Sequence, residues 1–166
     1  MNETERLEIR PATEADVPLV LTFIQELAEY EKLRHEVVAT EERIREALFG
    51  PRPYAEVLLA ELGGEPVGFA LFFHNFSTFL GRPGLYIEDL YVRPAARRRG
   101  VGRRLLARLA ALARERGCGR MEWSVLNWNE PAIRFYRSLG ARPLEEWQVY
   151  RLTGEALEAL AGEDEA

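Results

Sequence analysis

The chain has 166 residues, 47% of them hydrophobic and 30% charged, with a formal net charge of -5, which suits one domain with a core large enough to need no disulfide. One cysteine, Cys118, a polar start from Asn2 to Arg6 and no apolar run near the ~20 residues of a membrane span argue for a cytoplasmic protein without leader or membrane anchor. Lys32 is the only lysine against 21 arginines. That scarcity disfavours a Gly-Lys-Ser/Thr phosphate loop and Schiff-base chemistry; two isolated histidines, His35 and His74, give no metal spacing, and no serine sits in Gly-x-Ser-x-Gly.

Leu7 to Arg10 alternates apolar and polar residues as a first strand, closed by Pro11. Asp16 is a candidate N-cap for a helix with Pro18 in its first turn and Val17, Val20, Leu21, Ile24, Leu27 and Ala28 on one face. A shorter helix is predicted from Thr40 to just before Gly50-Pro51. Tyr54 to Leu62 and Val67 to His74 form an antiparallel hairpin through Gly63-Gly64-Glu65-Pro66, and Leu85 to Val92 is a third long strand. A strong helix follows Arg97-Arg98-Arg99-Gly100-Val101-Gly102 and stops at Gly117. Met121 to Val125 is a strand. Asn129-Glu130-Pro131 opens a helix that Gly140 ends, and Arg142 to Leu152 supplies one or two last strands before an acidic tail, residues 162–166, expected to fray. This order predicts an α+β protein in α/β/α layers, with helices on both faces of a mixed, mostly antiparallel sheet of six or seven strands.

Three segments carry chemistry. The arginine-glycine loop leads into a helix whose free N–H groups and dipole favour an anion, while Gly100 and Gly102 admit a ligand close to the backbone. It is either a pyrophosphate cradle or a solvated arginine run. Glu88-Asp89 lies inside an apolar strand, where neighbours point to opposite faces, so at least one acid faces an ion pair or a wet cleft. A desolvated carboxylate there would suit a general base. Asn129 and Tyr136 lie two helical turns apart and so near one helix face, as a cap plus core tyrosine or as cleft residues.

The segment Glu88 to Leu106, with Arg97-x-x-Gly100-x-Gly102, resembles the acetyl-CoA motif of the Gcn5-related N-acetyltransferases (GNAT). The element order agrees from Leu7 to Leu152. Ile9-Arg10-Pro11-Ala12-Thr13, Glu26 to Glu31, Tyr86 to Val92 and Trp128 to Tyr136 are similar to the diamine (spermidine/spermine) N-acetyltransferase branch. The resemblance implies one acetyltransferase domain over residues 1–166 with a core of about 7–152, acetyl-CoA as cofactor, and a homodimer. It implies that the backbone of Leu90, Tyr91 and Val92 bonds the pantetheine arm and that Arg97, Arg98, Arg99, Gly100, Val101, Gly102 and Arg103 hold the pyrophosphate. Asn129, Glu130, Pro131 and Ala132 would line the cofactor arm, with Tyr136 by its sulfur. Glu88 matches the acid that deprotonates the amine. Tyr30, Glu31, Asp89, Glu122, Trp123, Ser124 and Glu146 match the acceptor side, although Glu145-Glu146-Trp147 lies closer to Gly140 than in the family pattern.

The chemistry is coherent in its own terms. A primary amine, with a pKa of about 10.4 for a lysine side chain, must lose a proton before it attacks a thioester. Glu88 can accept that proton, an N–H near Leu90 can meet the charge growing on the carbonyl oxygen, and Tyr136 can protonate the departing thiolate. The expected acceptor is a small polyamine or lysine-like amine. The alternatives are a protein or peptide amine, or a non-catalytic acyl-CoA sensor in which Glu88 and Tyr136 would be dispensable. A nucleic-acid partner is disfavoured by the acidic balance.

Overall fold

The structure, a computed structural model, describes residues 6–165; the polar start before Arg6 lies outside the described residues. The chain divides into two units, one ending at Leu126 and one beginning at Asn127. The first is built on a sheet in the order β1 (Leu7–Pro11), β2 (Glu56–Leu62), β3 (Glu65–Ser77), β4 (Arg82–Val92) and β5 (Met121–Trp123). All neighbours are antiparallel except β4 and β5, which run parallel and pair only from Leu85–Met121 to Ile87–Trp123. The β2–β3 turn places Gly63 and Gly64 at φ of 60° and 84°, the two left-handed residues that the tightest right-twisted hairpin needs.

Helices α1 (Val17–Tyr30) and α2 (Glu41–Phe49) cover one face. Val17, Val20 and Phe23 of α1 and Ile44 and Leu48 of α2 are buried with Leu59, Phe69 and Tyr91, and the Phe23 and Phe69 rings stack at 5.4 Å. The Thr40 hydroxyl accepts from the Arg43 N–H at 3.2 Å, as its cap position predicts. Asp16 occupies the N-cap position of α1 as expected, but its side chain makes no bond to that helix. Its carboxylate accepts instead from the Thr13 N–H at 2.7 Å and from Arg10 at 2.8 Å, and the Arg10 guanidinium pulls it down to about 2.

Helix α3 (Val101–Glu115) covers the opposite face with Leu105, Leu106 and Leu109 buried, and Arg116 lies 5.8 Å over the Phe72 ring. Gly117, at φ 73°, ends α3: its N–H meets the Arg114 carbonyl and the Cys118 N–H meets the Ala113 carbonyl. This is a Schellman stop. No helix among the described residues is long and apolar enough to cross a membrane.

The second unit holds α4 (Glu130–Ser138) and α5 (Gly154–Gly162), the latter followed by a helical turn over Glu163–Glu165. Among the described residues the sheet has five strands, fewer than the six or seven expected. The difference is Arg142 to Leu152, which forms no strand. Its pattern is strand-like, but a strand exists only where its N–H and C=O groups find a ladder. Trp147, Val149 and Tyr150 stay exposed at 68%, 91% and 90%.

Candidate active site

The strand β4 is irregular where its two acids sit. Leu71 of β3 lies opposite Asp89 and Phe72 lies opposite Ile87, so Glu88 is an extra residue in a β-bulge. Pairing with Leu71 sends Asp89 to the α1 face, and alternation from Ile87 sends Glu88 there as well. Strict alternation predicts opposite faces for these two residues. The bulge overrides it and sets the two carboxylates side by side.

A third carboxylate, that of Glu31, joins them from just past the end of α1. Burial first, and then the charges of Glu88 and Glu31, push Asp89 up to about 7. Burial and the charge of Glu88 likewise raise Glu31. Desolvation and like charge both disfavour the ionised forms, so near neutrality this cluster holds a proton that isolated carboxylates would have lost. Glu31 is the residue just past the end of α1, and Lys32 follows it at φ 62°. The Lys32 and Leu33 N–H groups close a Schellman stop on Glu29 and Ala28 at 3.0 and 2.8 Å. That position usually belongs to glycine, so a non-glycine backbone strain sits next to Glu31.

Glu26 anchors α1 to β4. It accepts from the Tyr91 hydroxyl at 3.1 Å and from Arg93 Nε and Nη2 at 3.1 and 2.9 Å. The Arg93 bonds hold the Glu26 carboxyl below its ordinary range despite burial. Arg93 also lies 4.7 Å over the Phe23 ring. The Tyr91 side chain belongs to the core, so only its backbone is available to a ligand on the far edge of β4. That edge has no β5 partner from Glu88 to Val92.

After β4, Arg98 takes φ 66° and Gly100 φ 76°, and α3 begins at Val101 with no side-chain cap. A Cβ on Gly102 would meet only Val92 Cγ2, at 3.8 Å, so no protein neighbour requires glycine there. The uncapped N–H groups of this first turn, the open space at Gly102 and the exposed Arg98, Arg99 and Arg103 fit a pyrophosphate. The side chain of Arg97 is engaged otherwise. Its Nε donates to the Val92 carbonyl at 3.1 Å and its guanidinium lies 4.9 Å over the Tyr30 ring.

On that same edge of β4, nearer its start, Glu122 pairs with Tyr86 and Trp123 with Ile87. Tyr86, which opens the matching segment Tyr86 to Val92 but carries no role there, shares a 3.0 Å hydrogen bond with the Ser124 hydroxyl and lies 5.2 Å from the Phe73 ring. Its place two residues before Glu88 is the signal that could have found it. Arg120 pairs with Glu122 at 3.1 Å.

Within the second unit, Asn129 caps α4 by accepting from the Ala132 N–H at 3.4 Å, with Glu130 and Pro131 in the first turn. Tyr136 lies on the same helix beside Phe135, the rings 5.8 Å apart. Glu146 is exposed in the stretch without strand structure. Elsewhere in the first unit, a cleft of about 500 Å³ between Phe49, Glu56, Phe72, Arg108 and Arg116 borders the C-terminal half of α3, the end opposite its arginine-glycine loop.

Comparison with known proteins identifies the family. The chain is 41% identical to a thialysine N-epsilon-acetyltransferase of Sus scrofa, covering 93% of this chain and 96% of that one. It is 35% identical to the L-ornithine N5-acetyltransferase NATA1 of Arabidopsis thaliana, over 92% and 86%. Among solved structures, an integron cassette protein from the mobile metagenome of V. cholerae superposes with a TM-score of 0.77 at 29% identity, over 93% of this chain and 97% of that one. Residues 22–141 match the acetyltransferase (GNAT) family over most of the chain, so the chain belongs to that family of enzymes.

Proposed function

We propose that this enzyme moves the acetyl group of acetyl-CoA to a primary amine of a small cationic molecule, a polyamine or a lysine-like amine. The bulge in β4 carries the reading, because it sets Glu88 and Asp89 together on the face where Glu31 lies. Three carboxylates favour a cation. The relatives named for thialysine and ornithine acetylation support an amine on a short aliphatic chain.

Acetyl-CoA supplies an activated acyl group as a thioester. The first turn of α3, with Arg98, Arg99 and Arg103, holds the pyrophosphate, and the open edge at Leu90 to Val92 binds the pantetheine arm. Asn129 to Ala132 line that arm. Glu88, exposed on the bulge, takes the proton from the ammonium group, directly or through water. The N–H near Leu90 meets the charge growing on the acyl oxygen, and Tyr136 gives a proton to the leaving sulfur. Glu31, Asp89, Tyr30, Glu122, Trp123, Ser124 and Glu146 recognise the acceptor. We infer further that the enzyme works in the cytoplasm as a single domain and as a homodimer; the dimer is supported by Arg142 to Leu152, which has a strand-like pattern and pairs with no strand among the described residues.

The test is acetyl-CoA-dependent thiol release across polyamines, diamines, lysine analogues, aminoglycosides and a basic peptide. Turnover of a small polyamine or lysine analogue is the expected result. Turnover of the peptide alone, or tight cofactor binding with no acceptor acetylated, overturns the reading.

A further inference from the structure

Two arginines, four residues apart, clamp one face of α1. Arg93 lies over Phe23 and bonds Glu26, and Arg97 lies over Tyr30. Phe23, Glu26 and Tyr30 follow the i, i+3, i+7 spacing of one helical face. The first clamp rests on the core through the buried Phe23. The second lies at the surface: Arg97 is exposed and Tyr30 is the last residue of α1, immediately before Glu31 and the left-handed Lys32.

The same Arg97 side chain donates to the carbonyl of Val92, the last residue of β4. It therefore ties the end of β4 to the end of α1, the two elements that bring Glu88, Asp89 and Glu31 together. Arg97 itself sits in the connection from β4 to α3, after the helical turn Pro94–Ala96 and four residues before the helix whose N-terminus fits a pyrophosphate. We propose that Arg97 is a positioning residue for the acceptor. Stacked on Tyr30, it holds the end of α1 so that Glu31 stays near the Glu88–Asp89 bulge, and it links the cofactor loop to amine affinity. The inference rests on the proposed amine acetyltransferase activity and adds to it a residue acting through Tyr30.

The test uses Arg97→Gln, Arg97→Lys, Tyr30→Leu, Tyr30→Phe and the double variant Arg97→Gln/Tyr30→Leu. A cation over an exposed ring predicts that Arg97→Gln and Tyr30→Leu each raise the KM for the amine about three- to five-fold, more than either lowers kcat. Arg97→Lys, which keeps a cation, and Tyr30→Phe, which keeps a ring, recover most of that loss. The double variant is no worse than the poorer single one, because both remove the same contact. CoA affinity, measured by calorimetry without amine, stays unchanged. Weakened CoA binding with an unaltered amine KM, or effects that multiply in the double variant, overturns the proposal and returns Arg97 to the pyrophosphate.

A second readout is independent of turnover. The Arg97 Nε–H NMR signal is displaced by the Tyr30 ring and returns toward the ordinary arginine position in Tyr30→Leu. A signal that does not move refutes the contact itself. A wild-type enzyme that acetylates no amine, with the NMR shift present, instead counts against the proposed function alone.

Discussion

Asp89 makes a stability experiment out of a functional group. Its carboxyl titrates at about 7 in the folded chain against an ordinary 3.8, so between those values the native state keeps a proton that the unfolded chain has released. Stability therefore falls as pH rises through that window, and is fully recovered only below the lower value. Asp89→Asn removes the penalty. Its Tm should exceed the wild-type value by several degrees at about pH 8, with the gain shrinking toward about pH 5, in melts across the range. Deprotonation also sharpens attraction for a cation, so the wild-type amine KM should drop as pH rises through neutrality, and the drop should flatten in Asp89→Asn. Glu88→Gln has a different expectation: CoA binding persists in calorimetry, while kcat falls by a factor on the order of 100. An unchanged pH–rate profile in that variant removes Glu88 from the proton transfer.

Glycine positions separate structural elements from the ligand site. A Cβ at Gly68 would come within 2.6 Å of the Tyr91 carbonyl oxygen, a backbone clash between β3 and β4. Gly68→Ala should destabilise the chain by about 1–3 kcal/mol in denaturant titration. Gly102→Ala, in the first turn of α3 with only a side-chain methyl nearby at 3.8 Å, should instead stabilise by about 0.5–1 kcal/mol. The β2–β3 hairpin, the cap at Thr40 and the helix stops at Gly117 and Gly140 were legible in the sequence because each is decided within a few residues. The bulge at Glu88 was not, since it is set by pairing with β3, and period-two reasoning sends Glu88 and Asp89 apart. The contact between Arg97 and Tyr30 was equally hidden, because residues distant in sequence meet there only after α1 docks on the sheet. For Arg142 to Leu152 the pattern was legible but the ladder it needs was not.

At the scale of the whole molecule, an exposed, strand-patterned segment is a pairing edge seeking a partner. Val149→Asp should convert a dimer to a monomer in light scattering, and a wild-type monomer would refute the assembly. The net charge of -5 predicts that kcat/KM for a cationic amine declines with added salt, as steering is screened. The left-handed turn after Glu31 has one more use. Lys32 is the only side-chain amine in the sequence, so an amine-reactive dye attaches to the body of the protein at a single exposed position, two residues past Tyr30. A fluorophore there would report, in real time and without any reaction, the arrival of a cation at the carboxylates beside it.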